Sequence, residues 1–67
     1  GADFSRASLV GAYFGGADLT DAMLDGANIS GADFSAARGL SQAQLVKACG
    51  DEATVLLKGL SIRPCAR

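Results

Sequence analysis

The sequence predicts an all-β coil of four sides, a β-helix of about two turns closed at its C-terminal end by a short helix and a capping tail. Three observations lead there. Residues 2–36 repeat with a period of five, the third residue of every block is large and apolar, and the chain changes character after Gly39. All 67 residues are expected to form a single domain, with repeats at 2–41 and the helix and capping tail at 42–67.

From Ala2 the blocks read ADFSR, ASLVG, AYFGG, ADLTD, AMLDG, ANISG and ADFSA, followed by a degenerate ARGLS. Each opens with Ala. The third slot holds Phe4, Leu9, Phe14, Leu19, Leu24, Ile29 and Phe34, and the second holds the mostly polar set Asp3, Ser8, Tyr13, Asp18, Met23, Asn28 and Asp33. A period of five fits neither regular element. At about 100° per residue an α-helix would spread the apolar residues round its circumference, and in a long strand an odd period would send successive large residues to opposite faces. A chain that turns a corner in each block escapes both problems. Its first and third residues then face one axis while the second points outward, and the first must be small because several sides converge there. Gly11, Gly16, Gly26 and Gly31 occupy the last slot, where a turn needs a permissive backbone, and Asp21 can serve there through local side-chain bonding.

These blocks resemble the pentapeptide-repeat family, whose pattern is Ala, Asp or Asn, Leu or Phe, and two mostly polar residues. The resemblance covers residues 2–36 and, more weakly, 37–41. It implies a right-handed quadrilateral β-helix with twenty residues per coil. Phe4 would then stack over Leu24, Leu9 over Ile29 and Phe14 over Phe34; Leu19 would meet Gly39, where the ladder is expected to fail.

The stretch SQAQLVKACG predicts a helix of about two turns, with Ser41 as N-cap, Gln44 completing a capping box and Gly50 at the end. So short a helix persists only by packing on the last coil, so its expected role is to cover the solenoid end, with Leu40 and Leu45 as plug. Beyond it, Ala53–Leu57, a Lys58-Gly59 turn and Leu60–Ile62 read as two extended pieces laid over an outer face of the coil. The tail is similar to those that follow the repeats in some bacterial family members, which implies a shared capping unit.

Cys49 and Cys65 bracket this tail, and a disulfide between them would contribute about 3 kcal/mol by closing the loop. It would place the protein in an oxidising compartment, periplasmic or extracellular in a bacterium. The alternative is a cytoplasmic protein with two reduced thiols, Cys49 filling space beneath the helix. With no His, two thiolates cannot complete a zinc shell, and the spacing is far from C-x-x-C, so neither metal nor redox catalysis is expected.

Composition narrows the function classes further. The net charge of −1 gives no general attraction to nucleic acid or to anionic membrane, and no apolar run reaches membrane-spanning length. Residues 1–36 hold five Asp against Arg6, a net of −4, while residues 37–67 hold five Lys and Arg against Asp51 and Glu52, a net of +3. The commonest general base is missing, the Asp residues sit in outward or turn slots, and Ser5, Thr20, Ser30 and Ser35 fill the fourth, turn-forming slot. No cofactor is expected, and the reading is non-catalytic: a structural or protein-interaction module, the capped C-terminal end of a longer solenoid. Gly1 fits the fifth slot of a preceding block, in keeping with further coils upstream.

The alternative comes from the family resemblance, since some members mimic duplex DNA and bind topoisomerases. Two coils rise only about 10 Å at strand spacing, against about 34 Å for a turn of DNA, which makes this chain a poor mimic. An enzyme is the remote third reading. Two surfaces are singled out for an unidentified protein partner. Val10, Tyr13 and Met23 point outward from polar slots, and Phe4, Leu9 and Phe14 lie at the uncovered N-terminal coil, where two copies would meet as an isologous dimer.

Overall fold

The computed structural model describes residues 2–65, so Gly1 and its slot lie outside the described residues. The repeat begins with its corners. The Ala opening each block donates its N–H to the third-slot carbonyl of the block before, from Ala7 to Phe4 at 2.9 Å through Ala37 to Phe34 at 3.0 Å. Between them the fifth residue takes positive φ, as at Gly11 (72°) and Gly26 (71°), which is the type II turn pattern. Arg6 (61°) and Asp21 (58°) adopt the same left-handed conformation without being glycine.

Each corner is braced from the side. Asp3, Asp18 and Asp33 accept the backbone N–H of Ser5, Thr20 and Ser35 at 2.9, 3.0 and 2.9 Å, and Asn28 does the same for Ser30 at 3.0 Å. These are Asx turns, local bonds that hold the second slot outward. The seventh corner differs because Ala36 does not take positive φ. Whereas Arg6 and Gly11 reach the fourth-slot carbonyls of Asp25 and Ser30, Gly16 reaches the fifth-slot carbonyl of Ala36 at 3.1 Å.

With a corner every five residues the chain returns beside itself after twenty. Isolated parallel bridges join Asp3 to Met23, Ser8 to Asn28, Tyr13 to Asp33 and Asp18 to Arg38. Each side therefore contributes one bridged residue and not an extended strand. The first and third slots form the interior: Ala22, Ala27, Ala32, Ala37, Leu24, Ile29 and Phe34 are all buried, and the Phe14 and Phe34 rings stack with centroids 4.5 Å apart. Alanine keeps the axis narrow enough for facing third-slot residues to touch.

Four expectations are corrected. The ladder does not fail at Gly39: Leu19 donates to Arg38 O at 2.7 Å and stays buried, because Gly39 lets the backbone close on Thr20, where a Cβ would lie 2.7 Å from the Thr20 nitrogen. The helix α1 spans only Gln42–Leu45, one turn, because Cys49 leaves the helical path to bridge Asn28. Gly50 is not its C-cap. It is a point of close approach, where a Cβ would sit 2.7 Å from Thr54 Oγ1 and 3.1 Å from Ile62 Cγ1. Finally, the tail does not lie over an outer face. Cys49 bridges Asn28, Val55 bridges Asp33 and Pro64 bridges Gly50, so it continues the stack as an incomplete third layer and the start of a fourth. Leu56, Leu57, Leu60 and Ile62 pack on the core from there, while Val55 keeps its side chain exposed.

Candidate interaction surfaces

The two ends of the coil differ in chemistry. At the C-terminal end α1 replaces a side of the coil and cannot supply the backbone rungs that a further block would give. Gln44 supplies them instead. Its Nε2 donates to Leu19 O at 2.7 Å and to Ala22 O at 2.9 Å, while its Oε1 accepts the Ser41 N–H at 2.7 Å. The predicted capping residue thus serves the helix with one end of its amide and the coil with the other. On the next side Asp51 Oδ1 accepts the Gly31 N–H at 3.0 Å and the Thr54 hydroxyl reaches Ile29 O at 3.1 Å. Leu40 and Leu45 are buried in the core beneath, at the places expected for a plug. Neither Asp51 nor Thr54 stands out in the sequence, and only their three-residue spacing after Gly50 hints at turn chemistry.

At the N-terminal end no such groups are present among the described residues. Phe4, Leu9 and Phe14 are half-buried, whereas Leu24, Ile29 and Phe34, one coil further in, are fully buried. The difference measures what one covering layer contributes. Phe4 meets Phe14 edge-on at 6.0 Å, so the first-coil aromatics are already packed on each other. Among the described residues the second-slot N–H groups of Asp3, Ser8 and Tyr13 have no backbone partner, although their counterparts Met23, Asn28 and Asp33 donate to the carbonyls of Ala2, Ala7 and Ala12.

A family profile described as pentapeptide repeats matches residues 1–38 in eight copies. The chain belongs to the pentapeptide-repeat family. Comparison with curated proteins and with solved structures finds no match. The pentapeptide repeats carry the outward residues on separate columns. Tyr13 is 75% exposed, Val10 60% and Met23 48%; the Tyr13 ring folds against Gly15, and Met23 stands above Asp3 on another side. The three therefore do not form one patch. Val10 and Tyr13 share a corner, and Tyr13 shares a column with Asp33 and the exposed Val55.

The acidic residues of the pentapeptide repeats are likewise dispersed. Bridged second-slot partners are Asp with Met, Ser with Asn, Tyr with Asp and Asp with Arg, so no bridged pair stacks two carboxylates. Hydrogen bonds from the Ser5, Thr20 and Ser35 side chains, then from their backbone N–H groups, hold the Asp3, Asp18 and Asp33 carboxyls below their ordinary range. These carboxylates are committed to their own corners. Lys47 lies 3.9 Å from Asp25 in an exposed pair that contributes little. In the tail, Cys49 and Cys65 are joined by a disulfide with Cα atoms 4.7 Å apart, spanning the third and fourth layers. Among the described residues no helix is long and apolar enough to cross a membrane.

Proposed function

We propose that the chain is a non-catalytic protein-interaction module, the capped end of a right-handed quadrilateral β-helix that associates through its first coil. The observation that carries this reading is the contrast between ends. Gln44, Asp51 and Thr54 occupy the backbone rungs at one end, whereas Phe4, Leu9 and Phe14 remain half-buried at the other. A sheet edge of that kind recruits another chain. The occupant is a further repeat layer or a second copy of this chain meeting its twin as an isologous dimer.

The dispersed, corner-bound carboxylates favour this reading over a mimic of DNA, which needs a continuous stripe of charge. The disulfide favours an exported protein, since such bonds persist in oxidising compartments. Sedimentation velocity over a rising concentration series tests the association. A reversible dimer that Leu9→Asp abolishes is the expected result; a strictly monomeric parent well above micromolar concentration would sink the association of two copies.

A further inference from the structure

The last layer is held differently from the coils beneath it. The first coil is tied to the second on four sides, at Asp3–Met23, Ser8–Asn28, Tyr13–Asp33 and Asp18–Arg38, with paired backbone bonds at a bridge such as Tyr13–Asp33, where Phe14 donates to Asp33 O and Asp33 to Ala12 O, both at 2.9 Å. The strap formed by residues 60–65 meets its neighbour at one bridge, with Gly50 donating to Arg63 O at 2.9 Å and Cys65 to Gly50 O at 3.3 Å. Side chains add Gln42, which exchanges two bonds with Ser61, and Arg63 Nε, which donates to Ala48 O at 3.1 Å. Beneath the strap Ile62 approaches Ile29 across Gly50. Beside it an open groove of about 280 Å³ is lined by Leu45 and Val46 on one side and Ile62 on the other. The strap is thus thinly attached, apart from its covalent bond.

We propose that the Cys49–Cys65 disulfide is a redox latch: a dithiol reductant releases the strap from the coil end while the repeat array keeps its fold. Both cysteines are only partly buried, and Cys65 belongs to the last layer of the stack. A thiolate of the reductant attacks one Sγ, the Sγ–Sγ bond breaks, and the departing cysteine thiolate takes up a proton. The second thiol of the reductant then attacks the mixed disulfide, frees the other cysteine as a thiol and leaves the reductant as a disulfide. Two electrons pass to the protein.

The array survives because its rungs do not involve the strap. Gln44, Asp51 and Thr54, which occupy the coil end, all precede it in the chain. What reduction returns is the freedom of a loop whose ends are 16 residues apart. By loop-closure entropy this raises the population of the opened strap roughly a hundredfold, the equivalent of about 3 kcal/mol.

Residue-resolved hydrogen exchange on the whole protein, oxidised and in excess dithiothreitol, tests the latch. The Gly50, Leu60 and Cys65 amides should exchange about a hundredfold faster on reduction, with the Phe14, Asn28 and Asp33 amides unchanged. Acceleration of the coil amides as well would overturn the proposal, because the bond would then be a staple of the whole domain. No acceleration anywhere would overturn it too, as would two free thiols in the air-purified protein by intact mass. The double variant Cys49→Ser, Cys65→Ser should reproduce the reduced profile without reductant; strap protection equal to that of the oxidised parent would refute the latch independently.

Discussion

Replacing Gln44 by Glu isolates the group that ends the repeat. The substitution keeps the length of the side chain and the oxygen that accepts from Ser41, but turns the donor facing Leu19 O and Ala22 O into a second acceptor. Two hydrogen bonds of about 1 kcal/mol each are lost, and leaving the Ala22 carbonyl unpaired in a half-buried site adds about 1 kcal/mol more. A loss of about 3 kcal/mol is a large share of the roughly 5 kcal/mol expected of so small a domain. At roughly 4–8 °C per kcal/mol it lowers Tm by about 15 °C. Thermal and urea unfolding followed by circular dichroism at pH 7 would measure it. The acid limb supplies a second reading, since a protonated Glu carries an O–H that restores one donor. Facing two carbonyls raises the variant's carboxyl above its ordinary value, so this stabilisation is complete below about pH 4 and is lost as pH rises through the folded value. A variant within 0.5 kcal/mol of the parent at pH 7, or one whose deficit does not shrink on acidification, would refute the assignment of Gln44 as substitute rung.

Three further outcomes follow from the packing and the turns. Gly39→Ala forces a Cβ to 2.7 Å from the Thr20 nitrogen at a φ of +77°, so urea titration should show a loss above about 3 kcal/mol, whereas Gly11→Ala meets no atom within 4 Å and should cost only about 1 kcal/mol from its φ. Phe34→Ala removes the ring stacked on Phe14 and leaves a cavity in a fully buried site; a loss of about 3–5 kcal/mol from roughly 5 should leave only about 0–2 kcal/mol, read as a urea midpoint near zero denaturant by near-ultraviolet dichroism. Because Asp3, Asp18 and Asp33 are held below the ordinary carboxyl range, their contribution is present above about pH 3.9 and is lost as pH falls through their folded values. A triple Asp→Asn variant, copying the turn that Asn28 already makes, should flatten that acid limb in a urea midpoint series; an unchanged acid limb would show that the corners do not set it.

How far the sequence could be read depended on whether a contact recurs. The corner glycines, the outward second slots and the Phe14–Phe34 stack all repeat a five- or twenty-residue rule, so one block teaches the next, and Leu40 and Leu45 were legible as the apolar residues beside the short helix. The end of the array follows no such rule. Gly39 reads as a gap in the apolar ladder, but its lack of a side chain is what allows the ladder to continue past Thr20. The apolar pattern of Leu45, Val46, Ala48 and Cys49 suggests two helical turns, yet the helix ends after one because pairing with Asn28 gives the Cys49 backbone better use. The tail's apolar residues were legible, but not its path, since the separation of bridged residues drifts from Asp18–Arg38 to Asn28–Cys49 to Asp33–Val55. Asp51 and Thr54 escaped notice because each replaces a backbone group, and backbone groups leave no mark in composition.

That last property makes the cap portable. Gln44, Asp51 and Thr54 touch the coil at Leu19 O, Ala22 O, Gly31 N and Ile29 O, atoms whose positions any five-residue block of the same width would reproduce. The Leu40, Leu45, Leu56, Leu57, Leu60 and Ile62 side chains ask of the residues below only an apolar floor. Residues 39–65 can therefore act as an interchangeable terminator, indifferent to how many coils precede it or to what those coils display outward. Grafted onto an unrelated array of equal girth, the segment should fold and stop end-to-end growth, and a chimera that forms filaments would show that recognition runs deeper than the main chain.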